Sequence, residues 1–322
     1  MLRHGFKCLA LALGCLAGGA ALAQDYPSRP VTIISPFPAG GATDTLTRVL
    51  AERMAKDLGQ SLIVENKAGA GTNIGASYVS REKPDGYTIL MATNSTLVTN
   101  RFLYKQLPYD PDGFAQIGMV GIGPLVLLAS PKSGFTTTQQ VVEHAKQHPG
   151  RLSYASFGPG TSSHLAAEYF KKLAGVDMLH VPFKGATQAL PVLIQGDVDL
   201  FFDMVATGMP QAQAGKVKVL GITSKQRMAT LPDLPTLAEQ GYPQYEMTAW
   251  FSLVAPKGTP EPVLERLRTA LATSLKDPKV VETLGKMGIE PRQGSAQELA
   301  TQIRNEQPIV GQLVEQAGVE IQ

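Results

Sequence analysis

Ser35-Pro36-Phe37-Pro38-Ala39-Gly40-Gly41-Ala42-Thr43-Asp44 follows a short apolar run, Val31 to Ile34, and leads into a helical pattern from Thr45 to Leu58. The stretch reads as a turn that carries the chain from a strand into a helix, with two adjacent glycines at the helix entrance. The first amides of a helix have no partner within it, and the aligned peptide dipoles place partial positive charge there. Glycine lets a ligand approach such backbone closely. The combination predicts an anion site, most simply for a carboxylate or a phosphate.

Four further turns occupy the same position, after a strand pattern and before a helical one. Lys67 to Gly75 follows the strand Leu62–Glu65, and Thr93-Asn94-Ser95-Thr96 follows Thr88–Ala92. Ser156 to His164 follows Leu152–Ala155, and Phe183-Lys184-Gly185-Ala186-Thr187 follows Asp177–Val181. This alternation predicts an α/β fold with mainly parallel sheets flanked by helices. In such sheets these turns gather at the carboxyl ends of the strands, where ligands bind. Each turn taken alone is equally a turn that simply needs glycine.

Two series of this kind predict two lobes. The helical patterns at 260–275, 278–287 and 296–317 need a sheet to cover, and the first series is short of helices. The economical arrangement returns the chain to the first lobe near Ala249. Lobe I is then residues 24–124 with 249–322, and lobe II is 125–248, joined by two hinge crossings at about 121–125 and 247–252. Two crossings between α/β lobes form a hinge over a cleft.

Residues 1–23 stand apart from this pattern. Arg3 and Lys7 precede an apolar run of small residues, and Ala21-Leu22-Ala23 has the form of a signal-peptidase site. A secretory leader cleaved after Ala23 is expected, hence export to the periplasm. Both cysteines, Cys8 and Cys15, fall in the leader, so the mature chain is expected to hold neither disulfides nor cysteine chemistry. The sequence has 29 basic and 27 acidic residues, and removing Arg3 and Lys7 leaves it formally neutral. No basic stripe with interleaved aromatics points to nucleic acid, and no later apolar run reaches a membrane-spanning length.

Enzymatic readings are weaker than binding. The series Gly69-x-Gly71-x-x-x-Gly75 has the wrong spacing for a dinucleotide fingerprint, and no acid follows about 20 residues on. A serine hydrolase could draw on Ser162 or Ser163 with His164, but neighbours on a helix point apart and no G-x-S-x-G elbow occurs. His144, His148 and His180 lack metal spacing, so neither a metal nor a cofactor is expected. Asp44 either contacts ligand or complements its helix dipole. Asp203, at the end of the apolar strand Val198–Phe202, either meets a ligand donor or caps the next turn. Phe37 and Phe157 either wall a ligand or pack beneath their turns.

The ordered set of motifs resembles the Bug family, the extracytoplasmic solute receptors of the tripartite tricarboxylate transporter type. It comprises Tyr26-Pro27-Ser28-Arg29-Pro30, Pro36 to Gly41 with Thr43-Asp44, Glu65-Asn66-Lys67 with Gly69-Ala70-Gly71, and Pro84-Asp85-Gly86-Tyr87-Thr88. Further on come Gly158 to His164, Phe183-Lys184-Gly185, Gly196 to Asp199, Leu231 to Thr236, Trp250 and Ala255 to Pro260. The resemblance implies a two-lobed periplasmic binding protein, monomeric and without enzymatic activity. It would close on a small carboxylated solute and pass it to a membrane permease of large and small subunits; service to a membrane sensor is the alternative. It also implies that Phe37 to Gly41 and Gly69 to Thr72 hold one carboxylate while Gly160 to Ser163 face the distal end.

Residue reading and resemblance together give the candidate ligand set. It is Phe37, Ala39, Gly40, Gly41, Asp44, Gly69, Ala70, Gly71, Thr72, Thr93, Asn94, Phe157, Gly160, Thr161, Ser162, Ser163, His164 and Asp203. Ala42, Phe183 and Met204 depart from the usual family pattern, and the last two suggest a more apolar pocket.

Overall fold

The computed structural model describes residues 26–317; the leader, both cysteines and the cleavage after Ala23 lie outside the described residues. The first lobe opens with β1 (Val31–Ser35), α1 (Ala42–Leu58), β2 (Leu62–Asn66), α2 (Asn73–Ser80), β3 (Thr88–Thr93) and α3 (Asn100–Leu103). The long β4 (Phe114–Ala129) leads to α4 (Thr138–Gln147), β5 (Ser153–Ser156), α5 (Ser162–Ala174), β6 (Leu179–Pro182), α6 (Ala186–Gln195), β7 (Leu200–Met204), α7 (Val205–Gln213) and β8 (Lys218–Ile222). The chain returns through β9 (Thr248–Pro256) to α8 (Glu261–Ser274), α9 (Pro278–Lys286), β10 (Glu290–Pro291) and α10 (Ala296–Ala317).

Helix α1 shows why the elements form. Leu46, Leu50, Met54 and Leu58 recur every four residues, which stacks them on one helix face, and all four are buried. Full burial of each such side chain contributes about 2 kcal/mol. The helix ends at Gly59, whose φ of 71° continues the chain in a left-handed conformation. In β1, Val31, Ile33 and Ile34 are all fully buried, as suits an inner strand covered on both faces.

Two sheets share β4. In the first, β2-β1-β3 run parallel and β9 and β4 run antiparallel to their neighbours. In the second, β6-β5-β7 run parallel, and β4 pairs antiparallel with β7 on one side and β8 on the other. Parallel strands thus form the outer part of each sheet, and the antiparallel pairs mark where the chain crosses outward and returns.

Strand β4 changes partners within its length. Phe114 to Pro124 pair with β9, while Leu125 to Ala129 pair with β7. In the sequence, Gln116–Val120 and Leu125–Ala129 read as two separate apolar runs. The structure makes it one strand of 16 residues. The glycines between the two runs serve a crossing: a Cβ on Gly123 would lie 2.8 Å from Gly288 O, and one on Gly121 would lie 2.8 Å from Glu290 O. Thr223 clips the two crossings together. Its Oγ1 accepts from Leu125 N at 2.7 Å and donates to Met247 O at 2.6 Å, and its own amide donates to Leu125 O at 2.9 Å.

Candidate ligand-binding cavity

A cavity lies between the lobes, beside the crossing strands. Phe37, Pro38, Gly41, Ala42, Thr43, Thr93, Asn94 and Ser95 line it from the first lobe. Phe157, Ser162, Gly185, Ala186, Thr187, Met204 and Thr207 line it from the second, and β9 adds Ala249 and Phe251. No acidic, basic or histidine side chain belongs to this lining. The polar groups it presents are hydroxyls, the Asn94 amide and backbone. Helix α1, of 17 residues, starts at the cavity from Gly41 with no side-chain cap, and α6, of 10 residues, starts there from Gly185 likewise uncapped. The first-turn amides at Ala42 and Thr43 have no acceptor within the helix. Hydroxyls of Thr43, Thr93, Ser95, Ser162, Thr187 and Thr207 surround this apolar pocket.

Asp44 does not line the cavity; it fastens the turn that does. Its Oδ2 accepts from Gly40 N at 2.9 Å and Arg48 Nε at 3.0 Å, and its Oδ1 accepts from Asn66 Nδ2 at 2.9 Å. Asn66 Nδ2 also reaches Phe37 O at 2.9 Å. Burial opposes the charge on this carboxyl, yet the bonds from Arg48, Gly40 N–H and Asn66 together hold it below the ordinary aspartate value. Gly40 therefore spends its amide on Asp44. Ala39 and Gly40 sit outside the lining, and the backbone open to the cavity begins at Gly41.

In the second lobe, Ser162 lines the cavity while its neighbours turn away. Thr161 caps α5 by accepting from His164 N at 3.5 Å, and Gly160 N donates to His164 Nδ1 at 3.2 Å. Ser163 Oγ donates to Phe202 O at 2.5 Å. His164 stacks on His180 with ring centroids 4.1 Å apart. Burial, then the Lys171 charge, pushes His164 down to about 4, so its imidazole is neutral. Neither Ser162 nor Ser163 is hydrogen-bonded to it. Ser156 Oγ meets His180 Nε2 at 2.6 Å, but Ser156 is fully buried and outside the cavity. The hydroxyl–imidazole geometry a hydrolase needs is thus not built at the cavity wall.

The turn Gly69–Thr72 is placed differently from its sequence reading. All four residues have positive φ: 131°, 48°, 57° and 82° in order. The conformation is fastened from below, where Asn100 Nδ2 donates to Gly71 O at 2.9 Å and Thr96 Oγ1 donates to Thr72 Oγ1 at 2.9 Å. Its outer surface meets the second lobe, not the cavity: a Cβ on Gly71 would collide with Pro159 O. Gly160 in turn lies against Asn100 Oδ1 and Leu103, each 2.8 Å from where its Cβ would be. Gly185 faces Pro38 in the same way, and the rings of Phe37 and Phe157 meet edge-on at 6.1 Å. Several of these glycines are there so that two lobes can touch.

Asp203 lies inside β7 and is fully buried. Its Oδ1 accepts from Met204 N and Thr207 Oγ1, each at 2.8 Å, and Oδ2 has no partner. Burial pushes it up to about 7, against the bonds from Thr207 and Met204 N. It orients Thr207 toward the cavity without lining the cavity itself. Besides Pro38, Ala42, Thr43, Ser95, Gly185, Ala186 and Met204, the candidate set omits Thr187, Thr207, Ala249 and Phe251 of this lining. Thr187 stands in a turn the sequence flagged, and Ala249 and Phe251 alternate on one face of β9, as any strand's residues do.

The sequence profile of the tripartite tricarboxylate transporter family receptors matches residues 46–319. Among solved structures, Rpa4515 of R. palustris with adipate is 34% identical with a TM-score of 0.89, covering 92% of this chain and 99% of that one. The periplasmic binding protein BugD is 38% identical with a TM-score of 0.88, covering 92% and 100%. MatC (Rpa3494) from Rhodopseudomonas palustris with bound malate is 33% identical with a TM-score of 0.85, covering 90% and 100%. The chain belongs to the tripartite tricarboxylate transporter receptor family, and its fold is that of a two-lobed periplasmic binding protein.

Proposed function

We propose that this receptor captures a small organic carboxylate in the interlobe cavity and delivers it to a membrane permease of large and small subunits. The observation that carries the reading is the pair of uncapped helix starts, α1 from one lobe and α6 from the other, in one cavity without a charged side chain. Such a site holds an anion by amides and dipoles, and exclusion of water strengthens those bonds. The relatives solved with adipate and malate support a carboxylated ligand. The protein works as an exported monomer without cofactor or nucleic acid, its leader removed after Ala23. Residues 24–124 with 249–322 act as one closing body and 125–248 as the other; the exchange of partners along β4 between Pro124 and Leu125 supports this division.

Calorimetry of the purified mature chain against dicarboxylates, tricarboxylates and aromatic acids tests the binding step. Micromolar or tighter binding of at least one acid is expected; no binding across the panel, with a phosphorylated compound bound well, would sink the proposal. Deleting the gene separates transport from sensing. Loss of uptake of the bound acid supports delivery to a permease, while intact uptake with a lost transcriptional response would make the protein a sensor.

A further inference from the structure

Asn94 follows directly on β3 and stands in the wall between two spaces. On one side it lines the ligand cavity; on the other it shares a groove with Glu306 of α10. It is 2% exposed, and its Oδ1 is a buried oxygen with no partner. Its neighbour Thr93, also in the cavity lining, has an unpartnered buried Oγ1 as well. Buried acceptors without partners are rare and costly, so two side by side at a cavity wall point to a ligand group.

Which end of the Asn94 amide serves the cavity is set by Glu306. That carboxyl receives the Trp250 indole N–H and Gln302 Nε2, the latter at 3.0 Å. Burial raises the Glu306 pKa, while hydrogen bonds from Trp250, Gln302 and Asn94 each favour its charged form. Asn94 shares its groove with this carboxyl, and a carboxylate accepts but does not donate, so the end of the amide that suits Glu306 is its NH2. What Asn94 retains for the cavity is the acceptor Oδ1.

We infer that Asn94 is a specificity residue whose side-chain oxygen accepts a hydrogen bond from a hydroxyl on the bound acid, so that the site prefers hydroxy acids to their unsubstituted counterparts. Thr93 Oγ1 completes the match, since a hydroxyl can donate to one partner and accept from another. An ammonium is the poorer donor for this place: no carboxylate lines the cavity, and Asp203, whose Oδ1 is taken by Met204 N and Thr207, stands outside the lining. The inference rests on the carboxylate reading above and narrows it.

Calorimetry with matched pairs decides it: succinate against each enantiomer of malate, adipate against 2-hydroxyadipate, and 3-phenylpropanoate against 3-phenyllactate, with aspartate as the amino counterpart. In the pairs that bind, the hydroxy acid is expected to bind about ten- to a hundredfold tighter, the cost of leaving a buried acceptor unpaired. Asn94→Leu should reduce that ratio to near one by weakening the hydroxy acid alone. Glu306→Gln, which frees the amide to turn over, should lower it too. Equal binding within every pair by the unaltered protein overturns the inference and leaves the carboxylate reading standing. Aspartate binding tighter than malate overturns it in favour of an ammonium. No binding by any acid overturns both.

Discussion

In the first lobe the amide of Gly40 donates to a side chain four residues on, the carboxylate of Asp44; in the second the amide of Gly160 donates four residues on to the imidazole of His164. Both turns carry a phenylalanine that meets the other across the cleft, Phe37 and Phe157. The fasteners differ in kind. Asp44 is charged, paired with Arg48 and held by Asn66, and it leaves the start of α1 uncapped. His164 is neutral and stacked on His180, and the start of α5 is closed by Thr161. Of these two turns, the first thus keeps its helix end open toward the cavity, while the second closes its own and offers Ser162; the open helix start of the second lobe is that of α6.

Acid should separate the two fasteners. His164 titrates near 4 in the fold and near 6.5 in an unfolded chain, so below about 6.5 the unfolded chain binds the extra proton and the fold loses stability as pH falls toward 4. Asp44, held below its ordinary value, keeps its contribution until pH falls below about 4. Asp203 works in the opposite sense: with a value near 7 in the fold, it takes up its proton on folding, which favours the fold as pH falls from 7 toward 4. His180, stacked on His164 and pushed down to about 3 by burial and then by the His164 charge, adds to the loss, so Asp203 offsets only part of it and stability should fall as pH drops from 7 toward 4. Asp203→Asn removes that gain, so between pH 7 and pH 4 its unfolding free energy should fall by about 3 kcal/mol more than that of the unaltered protein. A flat profile in Asp203→Asn, measured by urea unfolding, would reject a buried neutral His164.

At neutral pH the first-lobe fastener should matter more. Asp44→Asn loses the charge that holds Gly40, Arg48 and Asn66 and turns an NH2 group toward donors. It should cost about 2 kcal/mol of stability, half-exposed Arg48 contributing little of that. Carboxylate affinity should fall with it, since the Phe37–Gly41 backbone shifts. His164→Gln, which retains an acceptor for Gly160 N, should cost about half as much. Equal losses in both variants would erase the distinction between the two turns.

Where the lobes meet, Gly71→Ala puts a Cβ against Pro159 O. Each lobe should still fold, with only about 1 kcal/mol lost to left-handed strain. Ligand affinity should fall about tenfold or more, because closure is what the Cβ obstructs. An unchanged affinity would mean that the ligand is held without this contact.

That last site shows where sequence reading stops. Glycine turns at strand ends are legible because a backbone that must come close to something needs them, and the alternation of β and α patterns is legible because it is local. The helix Ala296–Ala317 was readable from its spacing alone. A glycine does not say what approaches it, however. Gly41 faces the cavity, whereas Gly71 and Gly160 face the opposite lobe, and that choice depends on residues more than 50 positions away. The same holds for Phe251, which reaches the cavity because β9 crosses there, and for Asp44, whose partners Gly40 and Arg48 are near in sequence but whose third, Asn66, is not.

The smallest effect tests the second lobe's share most directly. Ser162 and Ser163 are adjacent and chemically alike, yet Ser162 lines the cavity while Ser163 donates to Phe202 O beneath it. Ser162→Ala should weaken a bound acid about threefold, one neutral hydrogen bond's worth, and leave unfolding unchanged. Ser163→Ala should do the reverse, costing about 1 kcal/mol of stability with affinity nearly intact. The crossed pattern is what a hydroxyl donor on an otherwise self-closed helix end requires. If Ser163→Ala instead abolished hydrolysis of a model ester, the second lobe would be a catalytic centre, and the contrast with the first lobe would be one of chemistry rather than of charge.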